Sequence, residues 1–278
     1  MANVFVTGCS SGFGELAALA FARRGDHVTA TMRTPAKGER LRAAAADAAG
    51  TLVVERCDVD DAASVGEAVA GALARGPIDV LVNNAGIECR SSIEDASDAD
   101  VRRQFETNVF GTLRLIRAVL PGMRARGRGA IVNVSSVAGL VARPFGGLYS
   151  ASKHALEGLS EALALEVAPF GIRVALVEPG QYATRLLDNA WTGAGFGPAS
   201  PYWERSERFD RAMHKVVPEG RRADPQEVAD LVVRVAHDPQ APLRTLAGRD
   251  AEMIAAAHRQ LSFEDYVRAM RGTLDWWD

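Results

Sequence analysis

A chain of 278 residues, 47% hydrophobic and 24% charged, carries enough apolar mass for one large α/β domain and is too apolar to be disordered. Its formal charge of -3 and pI near 6.0 exclude a general basic field, so nucleic acid is not an expected partner. The cysteines Cys9, Cys57 and Cys89 lie far apart without CxxC or Cys/His spacing, which argues against a metal centre or a disulfide frame and for reduced thiols in the cytoplasm.

No apolar run reaches membrane-spanning length, and a strand at residues 3–7 leaves no room for a charged leader before an apolar core. That strand, Val4, Phe5 and Val6, runs into Thr7, Gly8, Cys9, Ser10, Ser11, Gly12, Phe13 and Gly14, and then into a helical pattern over residues 15–24. Strand, glycine loop and helix in this order suit a pyrophosphate: the glycines permit a tight turn and close approach of the backbone, and the helix N-terminus offers free N–H groups and its positive dipole end. A glycine turn that only packs strand on helix is the weaker alternative.

Residues 27–32 form a second strand, whose C-terminal end meets the adenosine ribose in doubly wound sheets. An acid there would bind the 2′-hydroxyl, but the chain offers Thr31, Met32 and Arg33, with Lys37 nearby and no carboxylate before Glu39. A guanidinium pairs well with a 2′-phosphate, so NADP(H) is the preferred cofactor; if Arg33 is only a solvated loop charge, NAD(H) serves as well. The alanine-rich run at 42–49 is expected to be helical.

A third strand at 51–57 ends at Asp58, where a carboxylate could accept the adenine amino group, with Val59 beside it. A fourth at 78–82 ends in Asn83, Asn84, Ala85 and Gly86, asparagines that serve either as turn formers or as amides over a cofactor. Continuous apolar strands separated by helices imply a parallel sheet covered on both faces.

From 100 to 126 the apolar positions recur at helical spacing, with Asn108 in the interior. Asparagine competes with helix hydrogen bonds, so a local kink with an exposed carbonyl is expected there. A fifth strand at 130–134 delivers Ser135 and Ser136 to the edge where open α/β sheets bind ligands. A helix starting at Tyr149 carries Lys153 four residues on, and Ala155, Leu156, Leu159, Ala162 and Leu163 are expected to form its buried stripe. An ammonium beside the phenol would favour loss of the phenolic proton: moving it from about 10 to about 7 needs roughly 4 kcal/mol. A unit charge at about 4 Å contributes about that much at an effective dielectric near 20.

Taken together, TGxxxGxG at Thr7 to Gly14, NNAG at Asn83 to Gly86, Asn108, the Ser135–Ser136 pair, YSASK at Tyr149 to Lys153, and Pro179 with Gly180 resemble the short-chain dehydrogenase/reductases of the compact, single-domain type. The similarity covers about residues 3–185. It implies a Rossmann-type doubly wound, seven-stranded parallel sheet with helices on both faces. It implies NADP(H)-dependent interconversion of a carbonyl and an alcohol, with Ser136 on the substrate oxygen and Tyr149 as acid/base. Lys153 would tune Tyr149 and bind the nicotinamide ribose, and Asn108 would hold a water that relays protons. The expected cofactor contacts are Thr7, Gly8, Ser10, Ser11, Gly12, Phe13, Gly14, Arg33, Asp58, Val59, Asn84, Ala85, Gly86, Tyr149, Lys153, Pro179, Gly180 and Thr184, the last touching the carboxamide. The wording TGCSSG, Arg33 and the run Val177 to Gly180 are most similar to members acting on hydroxysteroids, retinoids and related lipophilic carbonyls. The likeness also implies a homodimer or homotetramer formed through the helices at 102–126 and 150–167.

The expected organisation is a single domain over residues 1–278, with a substrate-lid insertion at 185–225 and a C-terminal helical extension at 249–278. A sixth strand is expected at 172–177, a helix at 225–237, a last strand at 243–247 and a helix at 251–272. Trp191, Phe196, Tyr202 and Trp203 either cover an apolar substrate or plug the core or an oligomer contact, whereas Trp276 and Trp277 are expected to pack on a neighbour. Glu88, Cys89, Arg90, Arg143 and Phe145 are candidate pocket residues, Arg143 reading more as a solvent-facing loop charge. A non-catalytic dinucleotide sensor is the alternative of another class, disfavoured because Asn108, Ser136, Tyr149 and Lys153 are all present.

Overall fold

The computed structural model describes residues 1–182, 184, 190–216, 223–274 and 276–277. Its first half alternates strands and helices: β1 (Asn3–Val6), α1 (Gly12–Arg24), β2 (His27–Met32), α2 (Glu39–Ala44), β3 (Thr51–Arg56), α3 (Ala62–Arg75) and β4 (Val80–Asn83). A two-residue strand β5 (Cys89–Arg90) precedes α4 (Asp98–Phe105), a π-helical turn at Glu106–Gly111, α5 (Thr112–Arg126), β6 (Gly129–Val134), α6 (Gly147–Val167) and β7 (Ile172–Pro179). The remainder comprises β8 (Trp191–Thr192), α7 (Trp203–Val216), α8 (Pro225–His237), β9 (Arg244–Ala247), α9 (Arg249–Gln260) and α10 (Phe263–Thr273).

The main sheet has seven parallel strands in the order β3-β2-β1-β4-β6-β7-β9. Its strands alternate between two apolar layers because successive side chains point to opposite faces. Val4, Val6, Val80, Val82, Val132 and Val177 meet α1 and α8, while Phe5, Leu81, Ile131 and Val174 meet α3 and α5. Each such side chain, taken fully out of water, contributes about 1.5–3 kcal/mol. The chain reverses its winding between β1 and β4, so their C-terminal ends part and leave a crevice at that edge.

Several local expectations are corrected. The alanine run is helical only to Ala44. The expected C-terminal helix is two, because Ser262 breaks the run and caps α10 by accepting the Asp265 N–H at 3.1 Å. The inward face of α6 is not the alanine–leucine stripe: Ala162 is exposed, and the buried face carries Ser152, Lys153, Leu156, Glu157, Ser160 and Leu163. Counting apolar residues missed a face selected to be polar. Of the segment 185–225, residues 185–189 and 217–222 lie outside those described.

The pairing of β5 with β8 had no signal in the sequence, being two residues long and joined across a hundred positions. Asp100 builds it. Its carboxylate completes a capping box with Ser97 at the start of α4, accepts the Trp191 indole N–H at 2.8 Å and accepts the Ala194 amide at 3.1 Å. Burial alone would push this carboxyl up, but the hydrogen bonds from Ser97, Trp191 and Ala194 outweigh it and hold the pKa down to about 2. A depressed carboxyl contributes stability that is full above its unfolded value of about 3.9 and is lost as pH falls through the folded one. Urea denaturation is therefore expected to show Asp100→Ala destabilised by about 2 kcal/mol at neutral pH, with the difference from the parent shrinking from about pH 4 to about pH 2.

Candidate active site

The crevice is walled by the glycine loop after β1. Thr7, 1% exposed, accepts the backbone N–H groups of Asn84 and Ala85 at 2.9 and 3.0 Å, while its hydroxyl donates to the Val82 carbonyl at 3.3 Å. The Asn84 side chain donates to the Thr7 and Gly8 carbonyls at 2.9 and 3.3 Å. Its amide is thus spent on holding the loop rather than laid over a cofactor. Asn83 points the other way, into the sheet, where it donates to Asn133 at 2.9 Å; Asn133 donates to Ser160 of α6 at 2.8 Å.

Gly8 and Gly12 have φ of 71° and 62°, the left-handed region that glycine adopts without penalty. A Cβ on Gly14 would fall 2.3 Å from the Asn84 amide nitrogen and 2.6 Å from the Gly8 carbonyl oxygen. Ser11 stands at the N-cap of α1 but makes no capping hydrogen bond, so the helix offers its first N–H groups to the crevice, with Ser10 exposed beside them. This cradle, too tight for side chains and rich in unpaired donors, fits a dinucleotide pyrophosphate. Phe13 turns its ring away from it, onto Tyr182 at 5.6 Å.

The other expected cofactor residues line the same edge. Arg33 is exposed just past β2, Asp58 is half-buried after β3, and Val59 is buried with its carbonyl accepting from Arg114 at 3.1 Å. Gly86 faces Asn108 and Lys153: a Cβ there would stand 3.6 Å from Asn108 Oδ1 and 3.8 Å from Lys153 Nζ. Thr184 lies against Gly12, and Gly180 against Asp250 of α9, whose carboxylate accepts the Gln181 amide at 2.6 Å.

Asn108 sits at the π-helical turn, 1% exposed. The expected kink is present, but its carbonyl is not open to solvent: it accepts the Thr112 hydroxyl at 3.2 Å. The side chain accepts the Ile87 N–H at 2.9 Å and donates to the Ile87 carbonyl at 3.1 Å and to Ser152 Oγ at 3.0 Å. Ser152 in turn donates to the Tyr149 carbonyl at 2.7 Å, tying the turn to α6.

Ser136, Tyr149 and Lys153 converge beside it. The Ser136 hydroxyl lies near enough to the Tyr149 phenol to pull its pKa down, and donates to the Pro179 carbonyl at 3.4 Å. Lys153, 4% exposed, has its ammonium 5.7 Å from the centre of the Tyr149 ring and donates to the Val134 carbonyl at 2.8 Å. Burial lowers the Lys153 pKa to about 8, opposed by Glu157. The expected lowering of the phenol by Lys153 is corrected: burial pushes Tyr149 up, and the opposing influences are the Ser136 hydroxyl and the Arg143 guanidinium.

Arg143 is partly exposed, as a loop charge would be, but is not free. It pairs with Glu88, which is 3% exposed, and also feels Asp210 of α7. Arg90 is a clasp rather than a pocket residue: it meets Ser206, Glu207 and Asp210 at 2.9, 2.8 and 2.8 Å and lies over the Trp203 ring. Phe145, held at φ 59°, packs against Phe196, Phe209 and Trp276 with centroids 6.0–6.1 Å away. Trp276 therefore packs within its own chain, at 7% exposure. Residues the sequence did not single out include Ser152, Asp250 and Gln104, which is fully buried and clamps Ile87 and Cys89 at 2.7 and 2.8 Å. Only Ser152 had a signal, as the inner serine of YSASK.

A nucleotide cradle joined to a serine–tyrosine–lysine cluster at the switch point of a parallel sheet defines an oxidoreductase of the nucleotide-binding α/β class. The chain belongs to the short-chain dehydrogenase family, whose profile matches residues 2–194. It is 44% identical over 239 residues to the uncharacterized oxidoreductase YusZ of Bacillus subtilis, covering 83% of each chain. It is 39% identical to human retinol dehydrogenase 8 (87% of this chain, 80% of the relative). It is 35% identical to the 3-ketodihydrosphingosine reductase of Bacteroides thetaiotaomicron (91% and 90%). Among solved structures, a short-chain dehydrogenase from Streptomyces avermitilis superposes with a TM-score of 0.82 at 37% identity over 98% of this chain and 96% of the other. A metagenomic relative in complex with NADP (TM-score 0.70, 27% identity, 88% and 96% covered) and one from Burkholderia phymatum in complex with NAD (0.80, 26%, 96% and 95%) show that the family holds either dinucleotide. Among the described residues no helix is long and apolar enough to cross a membrane, and no cluster of metal-ligating side chains is present.

Proposed function

We propose that this protein interconverts a ketone or aldehyde and the corresponding alcohol with NADP(H). The observation that carries the reading is the convergence of Ser136 and Tyr149 beside buried Lys153 at the mouth of the nucleotide cradle. The bound nicotinamide supplies or accepts the hydride. Ser136 holds the substrate oxygen, and Tyr149, kept protonated by burial, gives that oxygen its proton. Lys153 binds the nicotinamide ribose and, with its charge, steadies the phenolate left behind. Asn108 holds the π-helical turn against Ile87 and Ser152, so that a proton can reach Lys153 from solvent along the α6 face.

A lipophilic substrate is the class toward which the names of two relatives, a retinol dehydrogenase and a ketosphingoid reductase, lean. In an NADPH-oxidation panel of ketones, aldehydes, quinones and steroids, apolar carbonyls are expected to lead. On the best of them Tyr149→Phe should lose about 100- to 10,000-fold in kcat while still binding cofactor. Unchanged turnover in that variant removes the reading.

Preference for NADP(H) rests on Arg33, exposed past β2 and outside every ion pair among the described residues, with no acid at that strand end. Arg33→Glu is expected to raise KM for NADPH by about tenfold or more and leave NADH little changed; equal effects on both would assign Arg33 to the surface. Phe110 in the π-helical turn before α5, Leu165 of α6 and Phe170 just beyond α6 are exposed at 46%, 76% and 46%, apolar surface that suits a dimer of this chain. Sedimentation equilibrium is expected to give at least twice the chain mass of 29.6 kDa.

A further inference from the structure

The inward face of α6 continues past Lys153 to a second buried ionisable residue, Glu157, at 5% exposure. Glu178 of β7, 1% exposed, immediately precedes Pro179, whose carbonyl accepts the Ser136 hydroxyl. One cation serves both acids. Arg244 of β9 donates Nε–H to Glu157 at 2.9 Å, stands 3.7 Å from Glu178 and reaches the more exposed Glu161 at 2.7 Å.

Glu157 Oε1 and Glu178 Oε1 are both buried without a donor, and the shared Arg244 Nε, 2.9 Å from one acid and 3.7 Å from the other, brings the two carboxyls together. An ionised carboxylate only accepts, so contact between two of them needs a proton on one. Two full charges so close together and shielded from water would also repel each other against the pull of Arg244 and the more distant Arg259. Beside Glu178 lies a cavity of about 300 Å³, backed by Leu140 and Val141 of the loop after Ser136 and rimmed by His258 and Arg259 of α9, which gives the pair a route to water.

We propose that Glu178 is a positioning residue: it shares one proton with Glu157 and so sets the charge beneath Lys153 and the seat of Ser136. The inference rests on the hydride-transfer reading above. The charged and titratable groups facing Glu178 are Glu157 of α6, Arg244 of β9, and His258 and Arg259 of α9. Burial first, and the Glu157 carboxylate second, push the Glu178 carboxyl well above the ordinary carboxylate range, against the pull of Arg244. Glu157, one turn beyond Lys153, favours the ammonium form there. When Glu178 loses the shared proton, a second negative charge appears under the site, and the balance between Lys153, Tyr149 and Ser136 changes with it.

The test is the pH dependence of kcat for the parent protein, Glu178→Gln and Glu157→Gln, with Tyr149→Phe alongside and an infrared titration of the cofactor-free protein. Glu178→Gln holds the pair at one charge at every pH, so one ionisation is expected to leave the profile. The ratio of variant to parent kcat should then change by about threefold or more between about pH 6 and about pH 9. Glu157→Gln should move the alkaline limb to lower pH, since Lys153 loses the charge that favours its ammonium. A protonated-carboxyl stretch persisting above the ordinary carboxylate range is expected in the parent and absent from both variants. A mechanical clasp of β9 on α6 would lower the Tm of the variants and leave the shape of the profile intact. Profiles that superimpose after scaling, or the absence of that infrared band from the parent, overturn the proposal. Either variant breaks the pair, and the parent titration needs neither, so if one variant fails to fold, the other and the parent still separate a shared proton from a mechanical clasp. Unchanged turnover in Tyr149→Phe instead overturns the hydride-transfer reading, and the infrared titration then decides the acid pair by itself.

Discussion

An ammonium at 4% exposure is tolerated only where carbonyl oxygens and carboxylates take the place of water, and the placement of Lys153 imposes that requirement on everything around it. The last carbonyl of β6 meets it directly, at 2.8 Å from Val134. Glu157 meets it electrostatically from the next turn of the same helix. For both to be in place, α6 must lie with a polar face against the end of the sheet, and that face must find partners throughout. Ser152 bonds Asn108, Ser160 bonds Asn133, and Asn133 bonds Asn83. A helix face this polar is stable in the interior because its hydrogen bonds are nearly all made within the protein, and such a network defines one register rather than several.

The same economy governs the nucleotide side. Thr7 and Asn84 tie the ends of β1 and β4 together across the crevice, so the glycine loop is held by side chains on its inner side and left with unpaired N–H groups on its outer side. The π-helical turn at Glu106–Gly111 spends its irregular backbone on the same edge. It faces Asn108 inward, where a regular helix would keep an asparagine for solvent. Strain and unusual backbone thus concentrate where ligand chemistry happens, while the two apolar layers on either side of the sheet carry the stability.

The C-terminal third is joined to the rest by charge and aromatic contacts. Asp100 fastens the β8 segment to α4, Arg90 fastens α7 to β5, and Phe145 joins Phe196, Phe209 and Trp276 close to Tyr149. These contacts couple the C-terminal segments to the loop that precedes α6. They explain why candidate pocket residues such as Arg90 and Arg143 are occupied by partners within the chain.

The sheet and the catalytic set were legible from local pattern. Strand periodicity, the glycine spacing and the four-residue step from Tyr149 to Lys153 are each contained in a few consecutive residues, where steric rules and helix geometry act without knowledge of distant parts. The buried face of α6 was misread because hydrophobicity marks burial only when no polar network compensates, and the compensating groups, Asn108, Asn133 and Arg244, are supplied by other elements. The protonation of Tyr149 was misread for a related reason: sequence spacing places a charge nearby but carries neither its direction nor the desolvation around it. The sequence by itself determined the fold class and which residues gather at the edge of the sheet. The tertiary structure alone decided their electrostatics and the closure of the substrate side, because burial, charge balance and two-residue strand pairings depend on groups that lie far apart along the chain.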